Sequence, residues 1–209
     1  MRALVIFCHP RRDSFNGAVL DRVMEHLTDA GAEIRVRDLY RDGFTPQLTE
    51  AEWTGYENDV TNTAPVQSDV DDLRWCTALI FVYPTWWYGL PAVLKGWLDR
   101  VLLPGVAFHM PSSEGRDIAP GLTHIRHLAV FTTCGASRWL TLFVGAPGKR
   151  TILRGVRLLC ARRCRTQFAA HYLMDSSTPA TRAAHLARID RRMAKLLRGD
   201  RASAHVATA

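Results

Sequence analysis

Hydrophobic positions along the chain fall into two alternating periods. Short continuous apolar runs (Ala3 to Cys8, Ala78 to Tyr83, His127 to Thr133) are rich in β-branched and aromatic residues and predict strands buried on both faces. Ile34 to Leu39 alternates apolar with charged residues, which predicts a strand nearer a sheet edge. Gln167 to Leu173 predicts a fifth strand. Between these runs the apolar residues recur at helical spacing. Phe15 to Ala30 predicts a helix stopped by Gly31, and Pro91 opens a helix over Ala92 to Val101. A basic amphipathic helix is expected from about Gly148 to Ala161, with Ile152, Leu153, Val156, Leu158 and Leu159 on its buried side. Thr49-Glu50-Ala51-Glu52 has the spacing of a capping box and starts a short helix. Thr178-Pro179 caps a last helix whose apolar positions include Leu186, Ile189, Met193 and Leu197.

Five strands alternating with helices, without repeat or low-complexity linker, predict one doubly wound α/β domain over residues 1–198. Periodicity leaves the strand order open. Residues 199–209 are small or polar and are expected to form a mobile tail. A length of 209 residues suffices for one well-filled core, and 47% apolar with 22% charged residues is ordinary for a soluble globular protein. No apolar run approaches the roughly 18 residues of a membrane span, and Ala3 to Cys8 is too short for a signal peptide. A cytoplasmic protein is therefore expected. The five cysteines are odd in number and form no C-x-x-C pair, which argues against a disulfide framework. Cys160 with Cys164, or His124 with His127, lack a second ligand pair, so no structural zinc is expected.

Charge adds one asymmetry. The net charge is +7, and no acidic residue lies between Asp117 and Asp175, a span holding Lys149, Arg150, Arg154, Arg157, Arg162, Arg163 and Arg165. Such a face could meet nucleic acid, anionic lipid or a nucleotide's phosphates, or be a solvated helix face, the reading preferred without a nucleic-acid motif.

Two loops carry candidate chemistry. The first strand empties into Cys8-His9-Pro10-Arg11-Arg12-Asp13-Ser14-Phe15-Asn16-Gly17, which opens a helix. Unpaired N–H groups and the positive end of the helix dipole make such a junction an anion site, although Ser14 as a plain cap is the alternative. It lacks the glycines of a dinucleotide fingerprint or P-loop. Pro84 is expected to stop the third strand, and Trp86, Trp87 and Tyr88 follow in a turn before the next helix. In an open parallel sheet, flat ligands bind outside the carboxyl ends of the strands. Three adjacent aromatics there suggest a planar ligand, with simple buried aromatics as the alternative.

Together these residues resemble the NAD(P)H:quinone oxidoreductase family of flavodoxin-like flavoproteins. The matching pieces are His9 with Ser14-Phe15-Asn16, the run Pro84 to Trp97, Thr132-Thr133-Cys134-Gly135, Asp38-Leu39-Tyr40 with Phe44 and Pro46, and Thr178 to Arg182. The resemblance covers most of residues 1–198. It implies a five-stranded parallel sheet in the order 2-1-3-4-5 with the flavin, FAD or FMN, at its switch point. By position it implies that His9, Ser14, Phe15 and Asn16 hold the phosphate end. Pro84, Thr85, Trp86, Trp87 and Tyr88 would lie along the isoalloxazine, Thr132, Thr133 and Gly135 would bracket its other side, and Cys134 would also contact the cofactor. Trp87, Tyr88 and Gly135 would stand nearest the reacting atoms.

Three departures qualify it. Cys134 stands where the family commonly has glycine, adding a side chain expected close to the ring. The Tyr and His that some members place after that loop are replaced by Trp139-Leu140 and Gly145-Ala146. The segment from Gln47 to Val66 is shorter than in the larger FAD-binding members, which leaves FMN open. The resemblance implies NAD(P)H as donor, a quinone-like acceptor, ping-pong two-electron transfer and a homodimer, with no nucleic-acid partner. Its rivals are a one-electron flavodoxin-type carrier, disfavoured by the basic charge, and a regulatory subunit docked on a membrane potassium-efflux system, which would make peripheral membrane contact.

Overall fold

In the structure, a computed structural model, the backbone is described for residues 1–58, 61–111 and 118–206 and side chains as far as residue 198. Along the chain come β1 (Arg2–Phe7), α1 (Phe15–Asp29), β2 (Glu33–Asp38), α2 (Glu50–Thr54), α3 (Gln67–Trp75), β3 (Ala78–Thr85) and α4 (Ala92–Val101). A two-residue pair, β4 (Phe108–His109) and β5 (Ala119–Pro120), precedes β6 (His127–Cys134) and α5 (Arg138–Phe143). Next comes a continuous helical stretch of α6 (Pro147–Arg150), a π-helical turn (Thr151–Val156) and α7 (Arg157–Leu159). β7 (Arg165–His171) and α8 (Pro179–Val206) complete the fold.

Five strands form one parallel sheet in the order β2-β1-β3-β6-β7. With the small β4–β5 pair set aside, this is the 2-1-3-4-5 arrangement of an open doubly wound sheet. The continuous apolar runs are explained by burial on both faces. In β1, Leu4 and Ile6 join a core with Leu79, Phe81, Leu94 and Trp97, whereas Ala3, Val5 and Phe7 pack with Val19, Val23, Ile189 and Met193 under α1 and α8. β2 is an edge strand, and its Arg35 and Arg37 reach across to the buried Asp72. Trp97, fully buried, donates its indole N–H to Asp69 at 2.8 Å, so the aromatic core is also polar-satisfied.

Several sequence expectations need correction. Pro84 does not stop β3, which pairs with β6 through Thr85. Because β1 leaves β3 after the Phe7–Val82 pair, the missing proline N–H faces a side with no strand to bond. Helix α3 was not expected; its buried apolar residues, Val70 and Leu73, are few among charges. Leu158 is 76% exposed rather than buried, since the π-helical turn shifts the helical phase before it. α8 extends to Val206. Residues 207–209 lie outside the described residues.

Candidate functional site

Outside the carboxyl ends of β1, β3 and β6 lies an open cleft of about 780 Å³. Three loops and one turn build it, each at a strand end. The first loop supplies His9, Ser14, Phe15 and Asn16. Ser14 caps α1 by accepting the Gly17 N–H at 3.2 Å, fixing a 15-residue helix with its N-terminus at the cleft. No acidic residue occupies that first turn, so its positive dipole end is uncompensated by the helix itself. Asn16, buried, donates from Nδ2 to Thr133 Oγ1 at 2.9 Å and so ties α1 to β6. Its Oδ1 is buried without a hydrogen-bond partner among the described residues, a position that costs energy unless something completes it. His9 accepts the Arg11 N–H on Nδ1 at 3.0 Å, which leaves Nε2 as the available ring nitrogen.

The second loop contributes Pro84, Thr85, Trp86, Trp87 and Tyr88. Gly89 N–H returns to Trp86 C=O at 2.9 Å, closing a four-residue turn. Both central residues have left-handed backbone, Trp87 at φ +48° and Tyr88 at φ +60°. This is the type I′ pattern that Asn-Gly normally supplies, here carried by two bulky aromatics at a cost of order 1 kcal/mol each. The turn is held from outside: Gly148 N–H donates to Tyr88 C=O at 3.3 Å, and a Cβ on Gly148 would come within 3.1 Å of the Gly89 carbonyl carbon. Trp87 is 94% exposed, so no hydrophobic burial within this chain explains it.

The third loop lines the cleft with Thr133, Gly135 and Ala136. Side-chain alternation along β6 sends Thr132 and Cys134 to the opposite face of the sheet. The Thr132 and Thr85 hydroxyls bond at 2.8 Å, and Cys134 Sγ lies 3.6 Å from Thr141 Oγ1. Both residues line a small separate cavity with Tyr83, Phe168 and Tyr172. The structure thus does not bring the Thr132 and Cys134 side chains into the cleft. The other eleven expected residues do come together: His9, Ser14, Phe15, Asn16, Pro84, Thr85, Trp86, Trp87, Tyr88, Thr133 and Gly135.

Ala136, Met174 and Asp175 complete the lining and were not expected. Met174 and Asp175 sit on a turn after β7, reached through Leu173 at φ +55°, whose N–H bonds Ala136 C=O at 3.3 Å. The only sequence signal was position, a polar turn just past the last strand. Behind the cleft, Phe15 packs edge-on to His171 with ring centres 5.4 Å apart, and His171 packs against His185 at 5.3 Å. Neither ring nitrogen of His185 has a partner among the described residues, and burial pushes its pKa down to about 4, helped by His171 and Arg188. Beside the cleft, Trp139 and Phe143 of α5 stack with rings 5.5 Å apart and are 72% and 76% exposed.

The comparisons agree with this geometry. An uncharacterized NAD(P)H oxidoreductase of Haemophilus influenzae is 33% identical over 138 residues, 66% of each chain. The human ribosyldihydronicotinamide dehydrogenase [quinone] is 30% identical over 126 residues, 53% of this chain and 54% of that protein. The matched segments thus span about half to two-thirds of these curated relatives. A solved NAD(P)H:quinone oxidoreductase from Methanothermobacter marburgensis superposes with a TM-score of 0.76 at 26% identity, covering 92% of this chain and 95% of that one. A family model described as flavodoxin-like fold matches residues 1–197, and with the sheet order and the cleft at its switch point it shows that the chain belongs to the flavodoxin-like-fold family.

Proposed function

We propose that the protein is a flavin-dependent NAD(P)H oxidoreductase that reduces quinones or similar acceptors. The observation that carries this reading is the strained, exposed Trp87-Tyr88 turn facing the α1 N-terminus across a cleft. Backbone strain in bulky residues persists where the surroundings enforce it, and it concentrates at ligand sites. Two relatives named as quinone-reducing enzymes, one human and one archaeal, support the same class.

The residues present fit a flavin. The α1 N-terminus with Ser14 suits an anionic phosphate end, and the buried Asn16 Oδ1, without a partner among the described residues, can accept from a hydroxyl of the ligand. Trp86, Trp87 and Tyr88 offer apolar surface to a flat ring, and the N–H groups around Thr133 to Ala136 can meet its polar edge. When bound, a flavin would supply the hydride chemistry between reduced nicotinamide and a quinone-like acceptor. The chain's part is to bind, orient and shield. With one open side to the cleft, donor and acceptor would occupy the same place in turn, a ping-pong scheme.

A homodimer belongs to this reading. The stacked Trp139–Phe143 pair, with Leu142 and Val144 also exposed beside the cleft, is an apolar patch of the kind a second subunit covers. Its expected mark is a dimeric mass in solution, reduced to a monomer when Trp139 and Phe143 are both changed to Ser. All five cysteines are free, and no helix among the described residues is long and apolar enough to cross a membrane, which fits a cytoplasmic site of action.

The test is flavin titration into the wild type and two variants, alongside initial rates. Trp87→Ala should weaken flavin retention or turnover at least tenfold, while Trp53→Ala, at an exposed position outside the cleft, should leave both unchanged. Equal effects would reduce the aromatic loop to a structural element. Parallel double-reciprocal lines are expected, and intersecting lines would contradict the ping-pong scheme.

A further inference from the structure

The cleft holds one charge that the reading above does not use. Among its lining residues Asp175 is the single carboxylate, and none is Arg or Lys. The two arginines of the first loop are already paired, Arg11 with Asp13 at 2.8 Å and Arg12 with Asp21. No cation or hydrogen-bond donor holds Asp175 among the described residues. In a chain of net charge +7 this leaves an unpaired anion in the cleft.

Its position follows from the backbone turn after β7, and its side chain is exposed. Leu173 in the left-handed region and its bond to Ala136 turn the chain back from β7 over the third loop. The carboxylate then takes the space that residue 135 leaves by having no side chain: a Cβ there would lie 2.8 Å from Asp175 Oδ2. An alanine at 135 would push the carboxylate out. Gly135 thus leaves room on the third loop for the exposed Asp175 side chain.

We propose that Asp175 is a specificity-determining residue that selects acceptors by charge, disfavouring those with an anionic substituent on or next to the reducible ring and leaving neutral and cationic ones unpenalised. This rests on the oxidoreductase reading of the cleft. Physically, a charge a few ångströms from an anionic substituent in a partly solvated cleft changes affinity about three- to tenfold, and salt screens it. The chain's positive charge acts differently. It draws anions toward the protein at long range, while Asp175 discriminates at contact.

The experiment compares a neutral naphthoquinone with its sulfonated analogue on wild type, Asp175→Asn and Asp175→Glu, by turnover and by quenching of tryptophan fluorescence without donor. Trp86 and Trp87 line the cleft and report binding whether or not turnover occurs. The neutral-to-sulfonated preference should fall about three- to tenfold in Asp175→Asn, through the sulfonated compound alone, and persist in Asp175→Glu. Added salt should erode the wild-type preference and leave that of Asp175→Asn flat. An unchanged ratio in Asp175→Asn, or an equal change for both quinones, would overturn the assignment. Absence of turnover in the wild type with the binding preference intact would count against the oxidoreductase reading and leave charge selection standing.

Discussion

At Trp87 and Tyr88 the chain keeps left-handed backbone with two aromatics where glycine would be easier, and the cost shows which demand wins. Replacing Trp87 by Gly removes little buried surface, since the indole is exposed, and relieves the unfavourable φ. The variant should be more stable by up to about 1 kcal/mol in denaturant unfolding yet bind flavin more weakly; a less stable variant would contradict the strain argument. Asn16 is the opposite case. Removing its amide breaks a buried bond to Thr133, so Asn16→Ala should cost about 1 kcal/mol of stability and lower flavin occupancy in the purified protein. Unchanged occupancy would remove Asn16 from the phosphate loop.

His185 gives a pH dependence whose sign follows from burial. Its folded pKa is pushed down from 6.5 to about 4, so the unfolded chain takes up the proton first. The stability of the neutral, buried ring is complete above about pH 6.5 and is lost as pH falls from there toward 4. Between pH 7 and 5 the wild type should lose about 2 kcal/mol that His185→Leu does not lose, measured by urea unfolding at both values. His171, also lowered by burial and by Arg188, adds in the same direction in both proteins. Identical pH profiles would show that His185 is solvated or paired.

At the scale of elements, close approach decides where propensity alone would mislead. Gly96 lies inside α4, where Ala is normally better by about 1 kcal/mol. Here an added Cβ would meet Pro46 O at 2.3 Å and Pro46 Cβ at 2.4 Å, so Gly96→Ala should destabilise by more than that gain. A raised melting temperature would mean that the segment around Pro46 yields easily. The same scale separates what could be read in the chain from what could not. β1, β3, β6 and α4 were legible because runs buried on both faces and a proline start leave unmistakable patterns. α3 and α5 were not, since one is dominated by charged residues and the other exposes its aromatics. Among cleft residues, those on the loops after β1 and β3 were legible as strand–loop–helix junctions. The alternation that turns Cys134 and Thr132 away follows only once the register of β6 is known, and the reach of Asp175 back across Gly135 depends on a left-handed Leu173 that nothing local demands.

For the molecule as a whole, a parallel sheet with its switch point between β1 and β3 brings distant loops to one edge, and the cleft there is what the family membership and the residues jointly explain. The basic span from 149 to 165 stands apart from it, on the α6–α7 stretch and the loop into β7. The central claim is that this cleft binds a flavin that reduced nicotinamide can reduce. The most direct measurement is an anaerobic titration of the protein, as purified or reconstituted with FMN or FAD, with NADH and with NADPH while its visible spectrum is recorded. A yellow protein that bleaches stoichiometrically is predicted. A protein that stays colourless after reconstitution with either flavin would contradict the account.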